Sequence, residues 1–316
     1  MSAITNTDTN ASLAVAPSIL APQAQQQAAN TLSQLEAQAT MHHTPSGKGR
    51  MAWRCWGQGD PLLLLHGGAG AWSHWARNIP ALLAHRTVWA PDLPGLGDSD
   101  QPETLTIEGI GETLVQGLRT LIPDGPIDLV GFSFGGPTAA YVATRMPGRI
   151  RHFMLAGSRF VLGEELDYPK LVNWKAIADP HQRLAAHALN LQRMMIADPG
   201  KVDALAVHIQ ASNAPKASFF GMKLDPTGKQ AQYLPHVRAS ASFTGVSGRA
   251  DQFSWSFMDR QSEGIRSLDP CGRFHIIEGA GHWVQYEAAE RFNAILLDVL
   301  LQDRQGKSQC DRKNAA

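Results

Sequence analysis

The sequence predicts an α/β fold in which a mostly parallel, doubly wound sheet carries an inserted helical cap. Short continuous apolar runs, such as Leu62–Leu65, are typical of strands that are buried on both faces of a parallel sheet. Helical patterns alternate with these runs up to about residue 158, which favours helices on both faces of the sheet. Between residues 159 and 235 the pattern is helical without a convincing buried strand, and the alternation then returns.

The individual elements follow from the spacing of apolar residues and from the Gly- and Pro-rich turns between them. The predicted strands cover Met51–Trp56, Leu62–Leu65, Thr87–Ala90, Ile127–Val130, His152–Leu155, Ala241–Val246 and Phe274–Ile277. The predicted helices cover Ile107–Leu121, Gly135–Arg145, Tyr168–Ile177, Gln182–Ile196, Val202–Ser212 and Glu287–Leu301. This pattern divides the chain into a flexible or weakly helical N-terminal segment (1–45), an α/β core (46–158 and 236–303), a helical cap or lid (159–235) and a C-terminal tail (304–316).

Composition restricts the partners. The 28 Lys and Arg residues balance 28 Asp and Glu residues, so no net charge attracts nucleic acid or an anionic membrane. We expect a small-molecule substrate. The composition does not decide whether the protein forms a homo-oligomer. No apolar run is long enough to span a membrane, and no Lys or Arg precedes the short apolar stretch near the N-terminus. Three widely spaced cysteines do not suggest a disulfide framework, and together these features predict a cytoplasmic protein.

The strongest chemical motif is the segment Gly131–Gly136 (GFSFGG), which follows a predicted strand and opens a predicted helix. That context is the one required for a nucleophile elbow, a tight turn that exposes a serine hydroxyl at the edge of the sheet. Ser133 is therefore the predicted nucleophile. The backbone N–H of Phe134, at the start of the helix, is a predicted donor to a developing oxyanion. The alternative interpretation is a Gly-rich turn without chemistry.

A second Gly-rich loop, His66–Gly70 (HGGAG), follows the four-leucine run. Its small residues leave backbone N–H groups open to a substrate oxygen, and we choose Gly68 as the second oxyanion donor, with Gly67 and Ala69 as alternatives. A phosphate-binding loop is a competing interpretation, but neither phosphate-binding glycine motif is present. His66 is a minor alternative for the catalytic base.

A serine nucleophile needs a base, and the base needs an orienting acid. In this type of fold the chain order is serine, then acid, then histidine. His282 lies after the last predicted strand in a Gly-rich loop and is the predicted base. Asp251 follows a strand and a glycine turn and is the predicted acid; Asp259 and Asp269 are the alternatives. The mechanism that these residues imply requires no cofactor and no metal.

From about Met51 to Leu301 the chain resembles the α/β-hydrolase superfamily. The resemblance rests on five motifs in order: the HGG loop, the segment Asp92–Ser99 (DLPGLGDS), the elbow, the aspartate loop and the histidine loop. It implies the α/β-hydrolase fold, a serine hydrolase with a Ser-His-Asp triad and a backbone oxyanion hole, and an insertion that acts as the cap.

Within the superfamily, the segments Gly248–Asp251 (GRAD) and Gly281–Glu287 (GHWVQYE) look like those of the meta-cleavage-product hydrolases. These enzymes hydrolyse a C–C bond in ring-fission products of aromatic degradation. Phe132 stands where they usually carry asparagine, and their oxyanion loop usually includes a proline that is missing here. Arg183 and Arg193 are the candidates for their cap arginine. The elbow is equally similar to that of esterases and cofactor-free haloperoxidases.

The expected substrate is an apolar or aromatic ester, thioester, amide or vinylogous ketone, because aromatic and sulfur-containing side chains are frequent around the predicted site. The predicted substrate-binding residues are Gly67, Trp72, Phe132, Trp174, Met194, Phe219 and Trp283. Two other classes of function stay open: a non-hydrolytic enzyme on the same scaffold (a lyase, perhydrolase or cofactor-free oxygenase), and a ligand-sensing module that retains the fold.

Overall fold

The computed structural model describes residues 16–158, 169–219, 224, 230–239, 242–253 and 258–301. Eight strands of this part of the chain form one sheet, in the order β1-β2-β4-β3-β5-β6-β7-β8. The strands are β1 (Thr40–Ser46), β2 (Gly49–Trp56), β3 (Pro61–Leu65), β4 (Thr87–Pro91), β5 (Ile127–Phe132), β6 (Ile150–Ala156), β7 (Ser242–Gly248) and β8 (Arg273–Ile277). Strand β2 is antiparallel to both neighbours, and the pairs from β4 to β8 are parallel, which confirms the predicted fold class.

The helices lie between and beside these strands. They are α1 (Pro22–Glu36), α2 (Ile79–Leu82), α3 (Ile107–Leu121), α4 (Gly135–Arg145), α5 (Pro180–Met194), α6 (Ala204–Asn213), α7 (Gln230–Tyr233), α8 (Met258–Leu268), α9 (Val284–Glu287) and α10 (Ala289–Leu301). Among the described residues, no helix is long and apolar enough to cross a membrane.

The leucine run of β3 shows why the sheet needs helices on both faces. Successive side chains of a strand point to opposite faces. Leu62 and Leu64 therefore enter one apolar cluster, while Leu63 and Leu65 enter the other, and all four are fully buried. Burial of an aliphatic side chain stabilises the fold by about 1.5–3 kcal/mol, so this strand anchors two cores at the centre of the sheet.

Side-chain caps fix where several helices begin. Thr106 accepts the N–H of Gly109 at the start of α3, and Asp179 accepts the N–H of Gln182 at the start of α5. Asp203 accepts the N–H of Ala206 at the start of α6. Each cap satisfies one of the backbone donors that a helix leaves free at its N-terminus.

The described part of the N-terminal segment, residues 16–45, contains a helix and most of a strand. Helix α1 has 15 residues, and its Leu35 is buried against the core. The carboxylate of Glu36 accepts a hydrogen bond from Arg54 Nε at 2.6 Å, and the carbonyl of Leu35 accepts one from Trp56 Nε1 at 2.8 Å. Strand β1 also begins at Thr40, six residues before the predicted start of the α/β core at residue 46. The contacts of α1 and β1 with β2 stabilise these two elements, which the polar composition of the segment does not predict.

The described residues of the predicted cap segment lie between β6 and β7, and we use cap for them below. Helices α5 and α6 agree with two of its predicted helices. The third, predicted at 168–177, is a short 3-10 turn at Trp174–Ala176, and Tyr168 lies outside the described residues. The predicted tail at 304–316 also lies outside them. Cys271 is disulfide-bonded, which differs from the expectation of cysteines without disulfides. The cytoplasmic location stays a prediction.

Candidate active site

Ser133 sits at the turn between β5 and α4 in a backbone conformation that few non-glycine residues adopt, with φ of 50°. Its N–H donates to the carbonyl of Ala156 on the neighbouring strand at 3.0 Å. The flanking glycines explain the motif. A Cβ on Gly131 would lie 2.5 Å from the carbonyl oxygen of Gly135, and a Cβ on Gly135 would lie 2.5 Å from that of Leu65. Only glycine at both positions allows the turn.

The structure brings the serine, histidine and aspartate predicted from three separate loops into one chain of hydrogen bonds. Ser133 Oγ lies 2.8 Å from His282 Nε2, and His282 Nδ1 lies 3.0 Å from Asp251 Oδ1. An ionised carboxylate only accepts hydrogen bonds, so Nδ1 carries the proton and Nε2 is the acceptor for the serine hydroxyl. His282 is 4% exposed and Asp251 is 1% exposed. The arrangement suits proton transfer from the hydroxyl to the imidazole.

The alternatives to His282 and Asp251 lie in other surroundings. His66 is buried, and both of its ring nitrogens form hydrogen bonds. Nδ1 bonds to the carbonyl of Gly67 at 2.8 Å, and Nε2 accepts the N–H of Leu93 at 2.8 Å. The side chain of Asp259 is 97% exposed and lies 3.8 Å from Arg249. Asp269 accepts the N–H of Cys271 in a turn at 3.0 Å.

Two histidines hold the Gly-rich loop beside Ser133. His66 Nδ1–H donates to the carbonyl of Gly67, while the N–H of Gly67 donates to His74 Nδ1 at 3.3 Å. Burial lowers the pKa of His66 and lowers that of His74 well below its ordinary value, so both rings are neutral acceptors at pH 7. The peptide between Gly67 and Gly68 is trans, so its N–H points away from the carbonyl that His66 holds. Gly68 and Phe134 both line the cavity above Ser133.

The cavity above Ser133 has a volume of about 340 Å³ and lies between the sheet edge and the cap. Four of the predicted substrate-binding residues line it: Gly67, Phe132, Trp174 and Met194. Further lining residues that the sequence reading had not placed at the site are Leu171, Val172, Asn173, Lys175, Asn190, Leu191, Gln210, Ala214 and Phe253. A mostly apolar wall with a few polar groups is the usual lining of a small-molecule site.

Three predicted wall residues lie elsewhere. Trp72 is buried against Trp56, with ring centroids 5.4 Å apart. Trp283 is fully buried and stacks on Tyr286 at 4.2 Å. Phe219 is not among the described lining residues, and its ring lies 5.6 Å from that of Phe134. A buried aromatic residue fills the core and a cavity wall equally well, so composition alone does not separate the two.

Phe253 is the functional neighbour that sequence reasoning missed. Its ring lies 4.5 Å from that of His282, edge to face, and Phe132 contacts the same imidazole at 5.3 Å. The N–H of Phe253 donates to Asp251 Oδ1 at 2.9 Å. Its position two residues after the predicted acid was the available signal. The two aromatic rings limit how far the imidazole can turn away from Ser133.

The charged side chains near the cavity are few. Lys175 is the one cation among the described lining residues, and it lies 5.5 Å from the ring of Trp174. Arg183 donates to the carbonyl of Ile177 at 2.7 Å, and Arg193 donates to that of Lys170 at 2.8 Å. Within the described ranges, no cluster of three His, Cys, Asp or Glu side chains could hold a metal ion.

Several proteins with similar sequences are named as hydrolases. A 2-hydroxymuconate semialdehyde hydrolase of Pseudomonas putida is 30% identical over 268 residues, covering 77% of this chain and 88% of that protein. A 2-hydroxy-6-oxo-2,4-heptadienoate hydrolase of Pseudomonas putida is 27% identical over 258 residues, covering 77% of this chain and 90% of that protein.

The solved structures show the same fold. A meta-cleavage product hydrolase from Pseudomonas fluorescens, complexed with acetates, superposes with a TM-score of 0.63 at 23% identity over 82% of this chain and 96% of that one. A thermophilic esterase from Thermogutta terrifontis gives 0.62 at 20% identity over 83% and 98%. The protein is thus a hydrolytic enzyme, as the motifs predict. Residues 62–295 match the family model described as the alpha/beta hydrolase family, and the chain belongs to that family.

Proposed function

We propose that this hydrolase uses Ser133 as its nucleophile, His282 as its general base and Asp251 as the acid that orients the histidine. The observation that carries the proposal is the continuous chain of hydrogen bonds at 2.8 Å and 3.0 Å through three loops. His282 removes the hydroxyl proton as Ser133 Oγ attacks a substrate carbonyl carbon. Asp251 stabilises the imidazolium that forms.

The backbone N–H groups of Gly68 and Phe134 stabilise the negative oxygen of the tetrahedral intermediate. Both residues line the cavity beside Ser133, and His66 holds the peptide that carries the Gly68 N–H. Loss of one such donor typically lowers turnover by about 100- to 1000-fold. When the intermediate collapses, His282 protonates the leaving group. A water molecule then hydrolyses the acyl-enzyme and restores the Ser133 hydroxyl.

The substrate class that we propose is a conjugated ring-fission product, cleaved at the C–C bond beside a ketone. The name of one similar enzyme describes such a ketone, a 2-hydroxy-6-oxo-2,4-heptadienoate, and that of another describes the corresponding aldehyde, a 2-hydroxymuconate semialdehyde. The apolar wall with Trp174 and Met194 suits a conjugated chain. The 2-hydroxy dienoate first tautomerises to its 2-keto form, in which the hydroxyl proton has moved to the carbon beside the ketone. Ser133 then bonds to the ketone carbon and the adjacent C–C bond breaks. The electron pair enters the conjugated system and takes the proton from His282, and water releases the acyl half as a carboxylic acid.

A carboxylesterase acting on apolar or aromatic esters is the second candidate, and the charge of the cavity favours it. A dienoate carries a carboxylate, for which a buried arginine is the preferred partner. In the described lining only Lys175 is cationic, while Arg183 and Arg193 are engaged with backbone carbonyls. An ester needs no such partner, and the same serine chemistry cleaves it.

A turnover screen separates the two candidates. Purified protein is tested on p-nitrophenyl esters of increasing acyl length and on 2-hydroxy-6-oxo dienoates with methyl and phenyl ends. Preference for the dienoates by kcat/KM supports C–C hydrolysis, and activity only on esters removes it. The Lys175→Ala variant tests whether Lys175 binds the carboxylate of a dienoate substrate. If it does, the variant should have a higher KM for the dienoates and an unchanged KM for neutral esters.

A further inference from the structure

The loop that carries His282 is held by a hydrogen bond on each flank of the histidine, one to Glu287 of helix α9 and one to the cap. On one flank, the N–H of Gly281 donates to Glu287 Oε2 at 2.6 Å. On the other flank, the N–H of Trp283 donates to the carbonyl of Met195 at 2.7 Å. Met195 follows helix α5 and lines the cavity. The position of the imidazole therefore depends on two bonds that reach beyond its own loop.

Glu287 is a buried carboxylate that joins this loop to the cap. Glu287 is 4% exposed. Besides Gly281, it accepts the N–H of Ala197 at 3.0 Å and that of Asp198 at 2.8 Å. Three backbone donors, two from the cap and one from the histidine loop, thus share one charge. Hydrogen bonds to an ionised group are about twice as strong as neutral ones, and a buried carboxylate is stable only with such partners.

The packing at Gly281 leaves the loop little freedom to adapt. A Cβ at Gly281 would lie 2.8 Å from the backbone nitrogen of Ala197 and 3.0 Å from the carbonyl oxygen of Met195. The histidine loop and the segment after α5 are therefore in direct backbone contact. A movement of one against the other would have to break the bonds to Glu287 first.

We propose that Glu287 is a positioning residue, which sets His282 against Ser133 by tying the histidine loop to the segment that follows helix α5. The inference rests on the proposed role of His282 as the base. It adds that the cap contributes to the placement of the base as well as to the cavity wall. Displacement of a reacting group by about 1 Å can cost on the order of 100-fold in rate, so a carboxylate remote from the substrate can control turnover.

The test compares Glu287→Gln with a control at a second cap contact. Asp203 pairs with Arg77 and accepts the hydroxyl of Tyr286 at 2.6 Å, so it also joins the cap to the core. Asp203→Asn weakens that contact but keeps a good helix cap. For each variant, kcat and KM are measured with p-nitrophenyl acetate, together with the rate at which a fluorophosphonate probe inactivates the enzyme.

We expect Glu287→Gln to lower both kcat and the inactivation rate by about 10- to 100-fold, because each requires a correctly placed base. Asp203→Asn should change KM and leave kcat within about twofold. Glu287→Asp retains the charge, so its kcat and inactivation rate should lie between those of wild type and Glu287→Gln. It also replaces Glu287→Gln in the test if the glutamine variant does not fold.

Two results overturn the proposal. One is inactivation of Glu287→Gln at the wild-type rate with a change in KM alone. The other is inactivation of Glu287→Asp at the wild-type rate while its melting temperature falls, since that would make the carboxylate purely structural. A failure of the proposed function looks different, because wild-type protein would then not react with the probe at all.

Discussion

At the scale of single residues, the proposed role of His282 depends on how Asp251 is bonded. One of its oxygens, Oδ1, accepts hydrogen bonds from both His282 Nδ1 and the N–H of Phe253. The backbone bond fixes the carboxylate, and the fixed carboxylate selects the imidazole tautomer with a proton on Nδ1. That tautomer leaves Nε2 free to accept the proton of Ser133.

Asp251→Asn tests this assignment. An amide can present its NH₂ group to Nδ1 and so stabilise the wrong tautomer, as is known for serine hydrolases in general. We expect kcat for a p-nitrophenyl ester to fall by about 10³- to 10⁴-fold, with little change in KM. Circular dichroism should show an unchanged fold.

Asp259→Asn is the matched control, because Asp259 is the exposed alternative on the same stretch of chain. Its kcat should equal that of wild type. If Asp259→Asn loses activity and Asp251→Asn retains it, the acid has been assigned to the wrong aspartate.

Local sequence signals predict some of the residues at the site and miss others. Ser133, Asp251 and His282 were predicted as a group because each lies within three residues of a glycine in a loop that follows a strand. Trp72 and Trp283 carry no such local signal, and the structure places both in the core. Glu287 belongs to a segment that carries the family resemblance, but its contacts were not predictable, since its partners Ala197 and Asp198 lie about 90 positions away in the sequence.

At the scale of elements, the strand–turn–helix unit around Ser133 sets the geometry of the site. The strand β5 is buried along its whole length and α4 starts two residues after Ser133. The positive φ of Ser133 is a strained conformation that costs on the order of 1–3 kcal/mol and is held by the surrounding packing. The close approach of α4 to β3 therefore matters as much as the serine itself.

The variant Gly135→Ala tests how much the fold depends on the close approach of α4 to β3. The added methyl would lie 2.5 Å from the carbonyl oxygen of Leu65, so backbone has to move. Overpacking of this kind costs about 1–3 kcal/mol. We expect a lower midpoint in denaturant unfolding and, because the turn shifts, a lower kcat.

Gly200→Ala provides the comparison at a less crowded position, where the nearest contact is a side-chain atom, Asp198 Oδ1, at 3.2 Å. Its unfolding midpoint should stay close to that of wild type. Equal midpoints for Gly135→Ala, Gly200→Ala and wild type would show that the turn tolerates a side chain, contrary to this account.

The elements themselves were predictable to different degrees. The central strands and α4 follow from apolar runs and glycine turns, which are local features. Strand β1 was missed because Thr40–Ser46 is polar, mostly exposed and contains Pro45, as is common for a strand at the edge of a sheet. Its order comes from pairing with β2, which is a tertiary contact that no short window of sequence displays.

At the scale of the whole molecule, buried histidines couple stability to pH. Burial lowers the pKa of His152 to about 4, and burial likewise lowers that of His187 to about 4. An unfolded chain protonates histidine near pH 6.5. Between these values the unfolded state binds more protons than the folded state, so the free energy of unfolding falls as the pH falls from 6.5 to 4.

Denaturant unfolding followed at pH 7, 6, 5 and 4.5 checks this expectation. The midpoint should decrease steadily below pH 6.5. His152→Gln removes one of the titrating groups, so its profile should be flatter than that of wild type. A wild-type profile that is level or rises toward pH 4.5 would contradict the burial of neutral histidines.

The most direct test of the central claim is covalent labelling of the nucleophile. Wild-type protein is treated with a fluorophosphonate probe, and the intact mass and the labelled peptide are determined by mass spectrometry, with Ser133→Ala as the comparison. We expect one label per chain, attached at Ser133 and absent from folded Ser133→Ala. Folded wild-type protein without a label, or equal labelling of Ser133→Ala, would contradict this expectation.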